Sequence, residues 1–572
     1  KTDPSRWDYG VPAVRLKYSA NASQTSGQST SAYANADLMV NFGRWVLDSN
    51  MSASRYSDGS GEFTARDITL STAISKIQGD LLLGKSQTRN SLFTDFGFYG
   101  AALRSNSNMQ PWEARGYAPL ISGVANSSSR ITITQSGYTI YSKVVPPGPY
   151  QLDDVRAVGN GDLVVTVEDA SGRKTTTTYP VTTLPTLLRP GEIEYNLAAG
   201  RKSSNYKLKE PFADGESGMF WMGSLGYGFD TTTLNVASIL HGKYKAGGVS
   251  VTQSLGSFGA VSAGVNLSHA EYDNGDKKHG HSVSAKYAKS FSDTTDLQLL
   301  AYRYQSKGYV EFADFYSTDR YTRYNTKSRY EMRVSRRLGN SNLSLSGWQE
   351  DYWWLNGKAI GGDISFSTTV FDGVSVFLNG SYSKRPYLDK ADYSTSLSFS
   401  IPFTLGGVRY YNTTGLSYDR SGQLGLNSGV SASPTERLSY SLNTNLTNRK
   451  TRSLSANLSY GFDAIQTNMA VTKDRDATTL SGSVSGTILG TTDSGLLMTQ
   501  ETSNTLGVVR IPNVKGVQVN GSAPTNSKGY TVVSLSDYSL NQVSVNMENV
   551  PDNLELQTTS YNVVPTESAG VY

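Results

Sequence analysis

The chain has 572 residues, no cysteine, 55 Gly and 36 Tyr, and its 52 Lys and Arg against 48 Asp and Glu leave a net charge of +4. With 11% aromatic residues this is not a disordered chain, and no run approaches the ~18 apolar residues that a membrane-spanning helix needs. Disulfides and thiolate metal sites are excluded outright; a transmembrane β-barrel is not, because its strands need only about ten alternating residues and its polar interior fits a mean hydropathy of -0.39.

From Ala13 the sequence AVRLKYSA sets Val14, Leu16 and Tyr18 apart from Arg15 and Lys17, the pattern of a strand with two unlike faces. Similar segments follow at 36–42, 43–47, 62–70 and 79–84, with turn residues between them, such as Asp48-Ser49-Asn50 and Ser57-Asp58-Gly59-Ser60-Gly61. In 93–103, FTDFGFYGAAL, Gly97 and Gly100 permit a sharp bend or an inward-folded hairpin.

The stretch 121–187 has a different character. Ile131 and Ile133 alternate with threonines, Ser136-Gly137 supplies a turn, 138–145 runs back, and Pro146-Pro147-Gly148-Pro149 breaks the chain. A second hairpin joins 163–168 to 173–179 through Asp169-Ala170-Ser171-Gly172. The expectation is a small antiparallel sandwich inserted into a larger β structure. Its charges balance, Arg130, Lys143, Arg156, Arg173 and Lys174 against Asp153, Asp154, Asp162, Glu168 and Asp169. Such a module can dock in a polar lumen through weak, screened pairs, although an ordinary solvated surface would carry the same residues.

Alternation resumes at Glu192 and continues with no helix of ordinary length. Aromatics recur near strand ends, Tyr302 with Tyr304, Tyr352 with Trp353 and Trp354, and Tyr460 with Phe462, as in interfacial girdles. At 310–316 the pattern fails, which fits either a short helix with Phe312 and Phe315 or Tyr316 on one face, or a long surface loop. The tail from Gly490 reads equally as a separate small β domain or as closing strands. Without the insert, roughly twenty to two dozen strands fit. A barrel that wide has an open lumen unless something fills it, and the insert is the obvious filler.

No catalytic set stands up. His279 and His281 in a strand would share a face, as a metal pair requires, but the turn Asp273-Asn274-Gly275-Asp276 beside them points to a solvated loop tip. There is neither a phosphate-cradling GxxxxGK[ST] nor a GxSxG elbow.

Several stretches carry a family likeness: Arg115-Gly116-Tyr117-Ala118-Pro119, GVAN at 123–126, QSGYTIY at 135–141, VPPGPY at 145–150, GDLVVTVEDASG at 161–172 and LPTLLRPGEIEYNLAAGR at 184–201. In combination they resemble the fimbrial outer-membrane ushers of the chaperone-usher pathway, and the likeness extends from Trp7 and Gly10 to GYTVV at 529–533 and VVPT at 563–566. The resemblance implies an all-β fold, a large transmembrane antiparallel β-barrel of about 24 strands with an inserted β-sandwich plug domain. First barrel strands would occupy 1–120, the plug 121–187 and the remaining strands 188–572. A periplasmic domain that recruits chaperone-subunit complexes would precede Trp7, and C-terminal domains would follow the VVPT strand.

By the same resemblance the plug closes a bacterial outer-membrane pore at rest. Arg130, Lys143, Asp153, Asp154, Arg156, Asp162, Glu168, Arg173 and Lys174 are then candidates for plug seating and gating. Asp95 and Phe96 in a hairpin over the lumen, with Glu311 and Phe312 in a short helix, would retain the plug. The implied partners are periplasmic chaperone-pilus subunit complexes, pilus subunits in the lumen and outer-membrane lipid, with homodimerisation left open and no nucleic acid, metal, cofactor or enzymatic activity expected. The alternatives are a diffusion porin or a nutrient transporter, though a nutrient transporter typically carries its plug ahead of the barrel, and, less well supported, an outer-membrane enzyme.

Overall fold

The computed structural model describes residues 12–106, 116–117, 121–135, 138–152, 155, 161–179, 181–183, 187–203, 218–290, 297–318, 326–501, 505–511, 514–519, 524–526, 528–535, 541–544, 560–563 and 570–571. Within them 24 strands close into an antiparallel ring. The ring shuts where Ala13–Thr25 pairs with Thr478–Thr491, from Ala13↔Thr491 to Thr25↔Thr479. Sequence neighbours pair throughout, even across the insert, where Gly97–Ser105 pairs with Ile193–Lys202. Closure satisfies every strand edge, which hydrocarbon demands.

The alternation read from the sequence becomes two surfaces. Phe220 and Met222 are buried while Trp221 between them is 60% exposed, and Ile239 is buried beside Leu240, 50% exposed. Trp221, Leu240, Val249 and Leu267 therefore belong to an outward apolar belt. The lumenal face carries hydroxyl ladders between strands, such as Ser52 to Thr64 at 2.7 Å and Ser455 to Thr472 at 3.0 Å. Asp48-Ser49-Asn50, expected as a turn, instead lies inside the strand Trp45–Arg55. Asp48 and Asn50 share the face of Ser52, so these polar residues mark the lumen and not a chain reversal.

The two rims differ. Short connections at 43–44, 339–340 and 406–407 lie at the end where the insert leaves the wall, and the longer connections 88–96 and 306–325 lie at the other. Short periplasmic turns and long outer loops are the rule for such barrels, which orients the ring.

The insert is a four-stranded sheet, in the order Tyr138–Val145, Ser129–Gln135, Leu163–Glu168, Lys174–Tyr179, with a two-stranded ribbon of Gly148–Leu152 and Ile121–Ala125. Both enclose one core that contains Ile121, Ile131, Ile133, Leu163 and Val165.

Two expectations need correction. The remaining barrel strands do not run through 188–572, since the ring is closed by Thr478–Thr491, beyond which the short strand Gly495–Thr499 adds to that sheet on Thr487–Thr491. Thr505–Arg510 pairs instead with Tyr530–Leu535 and Gly570–Val571 in a separate sheet, whose Leu506, Val508, Tyr530 and Val532 pack on Ala13, Leu489 and Leu497 at the barrel rim. Nor is 93–103 all hairpin, because Gly97–Ser105 is a wall strand. Gly100 falls instead in a glycine row across three wall strands, Gly84↔Gly100↔Gly200. Gly84 has φ +118°, and a Cβ on Gly100 would fall 2.0 Å from the Ala199 carbonyl oxygen, so the wall strands cross more tightly here than any side chain allows.

Candidate functional site: the plug and its latch

The insert meets the ring at widely separated sectors. The buried Arg130 guanidinium, on plug strand Ser129–Gln135, donates to Asn21 Oδ1 at 2.6 Å, Ser31 Oγ at 3.0 Å and the Ser31 carbonyl at 3.3 Å, all on the first two wall strands, and to Ser142 Oγ of the plug at 3.0 Å. Burial lowers its pKa to about 10, against the pull of Glu168, so it stays charged at neutral pH. Elsewhere on the ring, Arg329 Nη2 pairs with Asp162 Oδ1 at 3.1 Å, and Gln423 Nε2 donates to Asn126 Oδ1 at 2.9 Å. Plug strand Ile121–Ala125 lies against Val374–Lys384, Asp392–Leu405 and Val408–Asp419. A body that touches a closed ring from several sides lies within it.

The other plug charges sort by position. Glu168 accepts from Ser57 Oγ of the wall, and Lys174 Nζ lies 5.9 Å from the Tyr56 ring. Lys143 and Arg173 are exposed. Asp153, Asp154 and Arg156 lie outside the described residues. The wall partners, Asn21, Ser31 and Arg329, were not singled out from the sequence. A signal existed for the last, since Arg329, Glu331 and Arg333 alternate within a strand and so share its lumenal face.

A second element stands beside the plug. In 309–315 the chain makes a single 3-10 turn, Phe312–Asp314, with the Phe312 and Phe315 rings 6.3 Å apart and stacked. Phe312 meets Phe96 at 5.0 Å, Tyr244 at 5.0 Å and Phe220 at 5.9 Å, joining the 88–96 connection and the inner wall in one core with Phe93, Phe98 and Ile239. Polar anchors fix the backbone: Tyr244 Oη donates to the Val310 carbonyl at 2.6 Å, and Lys202 Nζ to the carbonyls of Phe315, at 2.6 Å, and Phe312. We call 309–315 with 88–96 the latch.

Glu311 ties the halves of the latch together. Its carboxylate accepts from the Thr94 backbone N–H at 3.2 Å, Tyr309 Oη at 2.8 Å and Arg303 Nη2 at 3.3 Å. Burial pushes its pKa up, opposed by Arg303, Tyr309 and Thr94; burial raises Asp314 as well. Asp95 is partly buried in the same connection. A polar cavity of about 140 Å³ separates latch from plug, lined by Thr94, Glu311, Arg303, Arg329 and Asp162. The expected helix is thus one turn, and its phenylalanines do share a core.

His279 and His281 fall elsewhere. His279 faces His269, not His281, with Nδ1 atoms 2.8 Å apart, and among the described residues no group of three or more metal-ligating side chains converges.

The sequence profile described as outer membrane usher protein matches residues 33–572. The chain is similar to the outer membrane usher protein PefC of Salmonella typhimurium strain LT2, 85% identical over all of this chain and 71% of that one. It is 32% identical to the outer membrane usher protein FanD of Escherichia coli, over 99% of this chain and 70% of that one. Among solved structures, the translocation pore of the P pilus usher PapC matches with 25% identity and a TM-score of 0.71, covering 83% of this chain and 99% of that one. A P pilus tip assembly intermediate, PapC-PapD-PapK-PapG, matches with 26% identity and a TM-score of 0.71, over 100% of this chain and 73% of that one. A closed 24-strand ring, a sandwich seated inside it and these likenesses agree: the chain belongs to the outer membrane usher family.

Proposed function

We propose that the chain forms the outer-membrane pore through which pilus subunits, delivered by a periplasmic chaperone, are assembled and passed outward, with 121–187 closing the lumen at rest. PapC, the relative solved in a tip assembly intermediate, is there together with PapD, PapK and PapG. The observation that carries the closing role is the contact of the insert with separated sectors of one closed ring. Those contacts are hydrogen bonds and exposed or half-exposed ion pairs, individually worth about 0.5 to 3 kcal/mol. Displacement therefore needs no unfolding of the sandwich, whose own core is apolar and separate. Asp95, Phe96, Glu311 and Phe312 act on this reading as retention residues, holding the latch against the wall beside the plug.

Planar bilayer recordings provide the test. Replacing 121–187 by a short linker should convert a nearly silent pore into one of large, steady conductance. Unchanged conductance would remove the plug from the account.

A further inference from the structure

On the outward surface, at the rim that carries the long connections, Lys245, His269 and His279 occupy facing register positions on three neighbouring strands. They share the face of Leu267, 61% exposed, and Val249, so they stand directly above the apolar belt. Strand spacing makes this row ~10 Å wide. Glu271 Oε1 lies 3.4 Å from His269 Nε2 and 3.7 Å from Lys277 Nζ. The basic surface continues sideways: Lys327 Nζ lies 4.9 Å from the Trp353 ring and Lys307 Nζ 4.0 Å from the Trp354 ring. Tyr304 bridges the two parts, 6.0 Å from His281 and 6.3 Å from Trp353.

Beneath this rim the belt is indented. A groove of about 580 Å³ is lined by Leu300, Tyr302, Tyr330 and Met332. Tyr302 stands two residues below Tyr304 on the same strand, so the groove starts at the aromatic rim and runs ~13 Å toward the membrane centre. Lysines and imidazoles at the outer rim of a lipid-facing wall, continuous with an apolar slot, match one amphiphile: an anionic head above an acyl chain. Basic side chains at the surface attract anionic lipid, and tryptophans anchor at the same depth.

We propose that this face binds a phosphorylated lipid of the outer leaflet, its phosphate at Lys245, His269 and His279 and one acyl chain in the groove. The test is native mass spectrometry of the full chain in detergent, titrated with bisphosphorylated lipid A, its dephosphorylated form and inorganic phosphate. Bisphosphorylated lipid should be retained selectively. Lys245→Gln and Lys327→Gln should each weaken retention about fivefold, and Leu300→Trp, which fills the slot, should weaken it with the charges intact. Heat-modifiable migration of each variant keeps loss of binding apart from loss of fold. Equal retention of the dephosphorylated lipid, or equally tight binding of inorganic phosphate alone, would overturn the proposal. So would self-crosslinking of a Met332→Cys variant, which would make this face a contact between two copies.

Discussion

The latch and the plug both sit inside the ring, yet they are held by opposite kinds of force. The latch is fastened by aromatic rings, with Phe312 at the centre of a core shared by Phe96, Phe220 and Tyr244. The plug presents polar groups to the wall, Arg130 to Asn21 and Ser31, Asp162 to Arg329, and Asn126 to Gln423. Apolar burial of a large side chain is worth about 3 to 5 kcal/mol and ignores salt, whereas each polar contact is worth less and is exchanged readily for water. On the proposed function, a pore that must stay shut and still release its stopper gains from this division. The latch supplies persistence, and the plug interface supplies reversibility.

The largest test breaks the latch. Phe312→Ala should remove about 3 to 5 kcal/mol of docking, because the ring is almost fully buried in contact with both 88–96 and the wall. Hydrogen exchange should rise in 309–315 and 88–96 while the strands of the ring stay protected. Equal protection in variant and parent would mean that the cluster is not what holds the latch. Next in size is Arg130→Ala. Its charged hydrogen bonds to the wall are worth about 1.5 to 3 kcal/mol each, with part returned by water in the variant. Bilayer recordings should show more frequent openings, with exchange in the latch unchanged. Faster exchange in the latch as well would show that the two attachments are one unit.

These two attachments were not equally legible in the sequence. Period-two alternation exposed the barrel because lipid and lumen demand opposite residues on successive positions, and it exposed the plug because its hairpins are short and its turns explicit. The same polar lumen misled at Asp48-Ser49-Asn50, where residues that ordinarily mark a turn line a channel instead. The latch core was legible only in part. Phe96 and Phe312 stand 216 positions apart in the chain, and nothing local to either says that they meet. Arg130 could be named as a plug charge, but Asn21 and Ser31 are ordinary strand residues until the fold brings them beneath it.

A smaller effect is set by pH within the latch. Glu311 is buried against Thr94, Tyr309 and Arg303, near Asp314 and Lys202, and burial raises its pKa in the docked state. The docked latch therefore holds a proton that the free one releases. Docking is strongest below the pKa of a free carboxylate, near ~4.3, weakens as pH rises from there to the raised value, and is constant above it. Exchange in 309–315 should accordingly be more protected at pH 5 than at pH 8, beyond the intrinsic change in exchange rate. Asp314, also raised by burial, adds in the same direction, so Glu311→Gln should flatten the profile partly and Glu311→Gln with Asp314→Asn almost wholly. A profile indifferent to both substitutions would place the titrating group elsewhere.

The smallest effect separates the two kinds of force most cleanly. Arg329 and Asp162 join wall and plug at 3.1 Å, with Arg329 mostly covered but Asp162 38% exposed. Solvent therefore screens the pair, and a double-mutant cycle of Arg329→Gln and Asp162→Asn should give a coupling of about 1 kcal/mol or less. Because Arg329 also contacts Glu331 at 3.1 Å, its single substitution should exceed that of Asp162→Asn, and only the cycle isolates the bridge across the interface. Raising salt from 0.01 M to 1 M shortens the screening length from about 30 Å to about 3 Å, so the coupling should fall toward zero. The faster exchange in the latch caused by Phe312→Ala should not change with salt, since no charge is lost there. If the two responses to salt were alike, latch and plug would be held by the same physics, and the division between persistence and release would not stand.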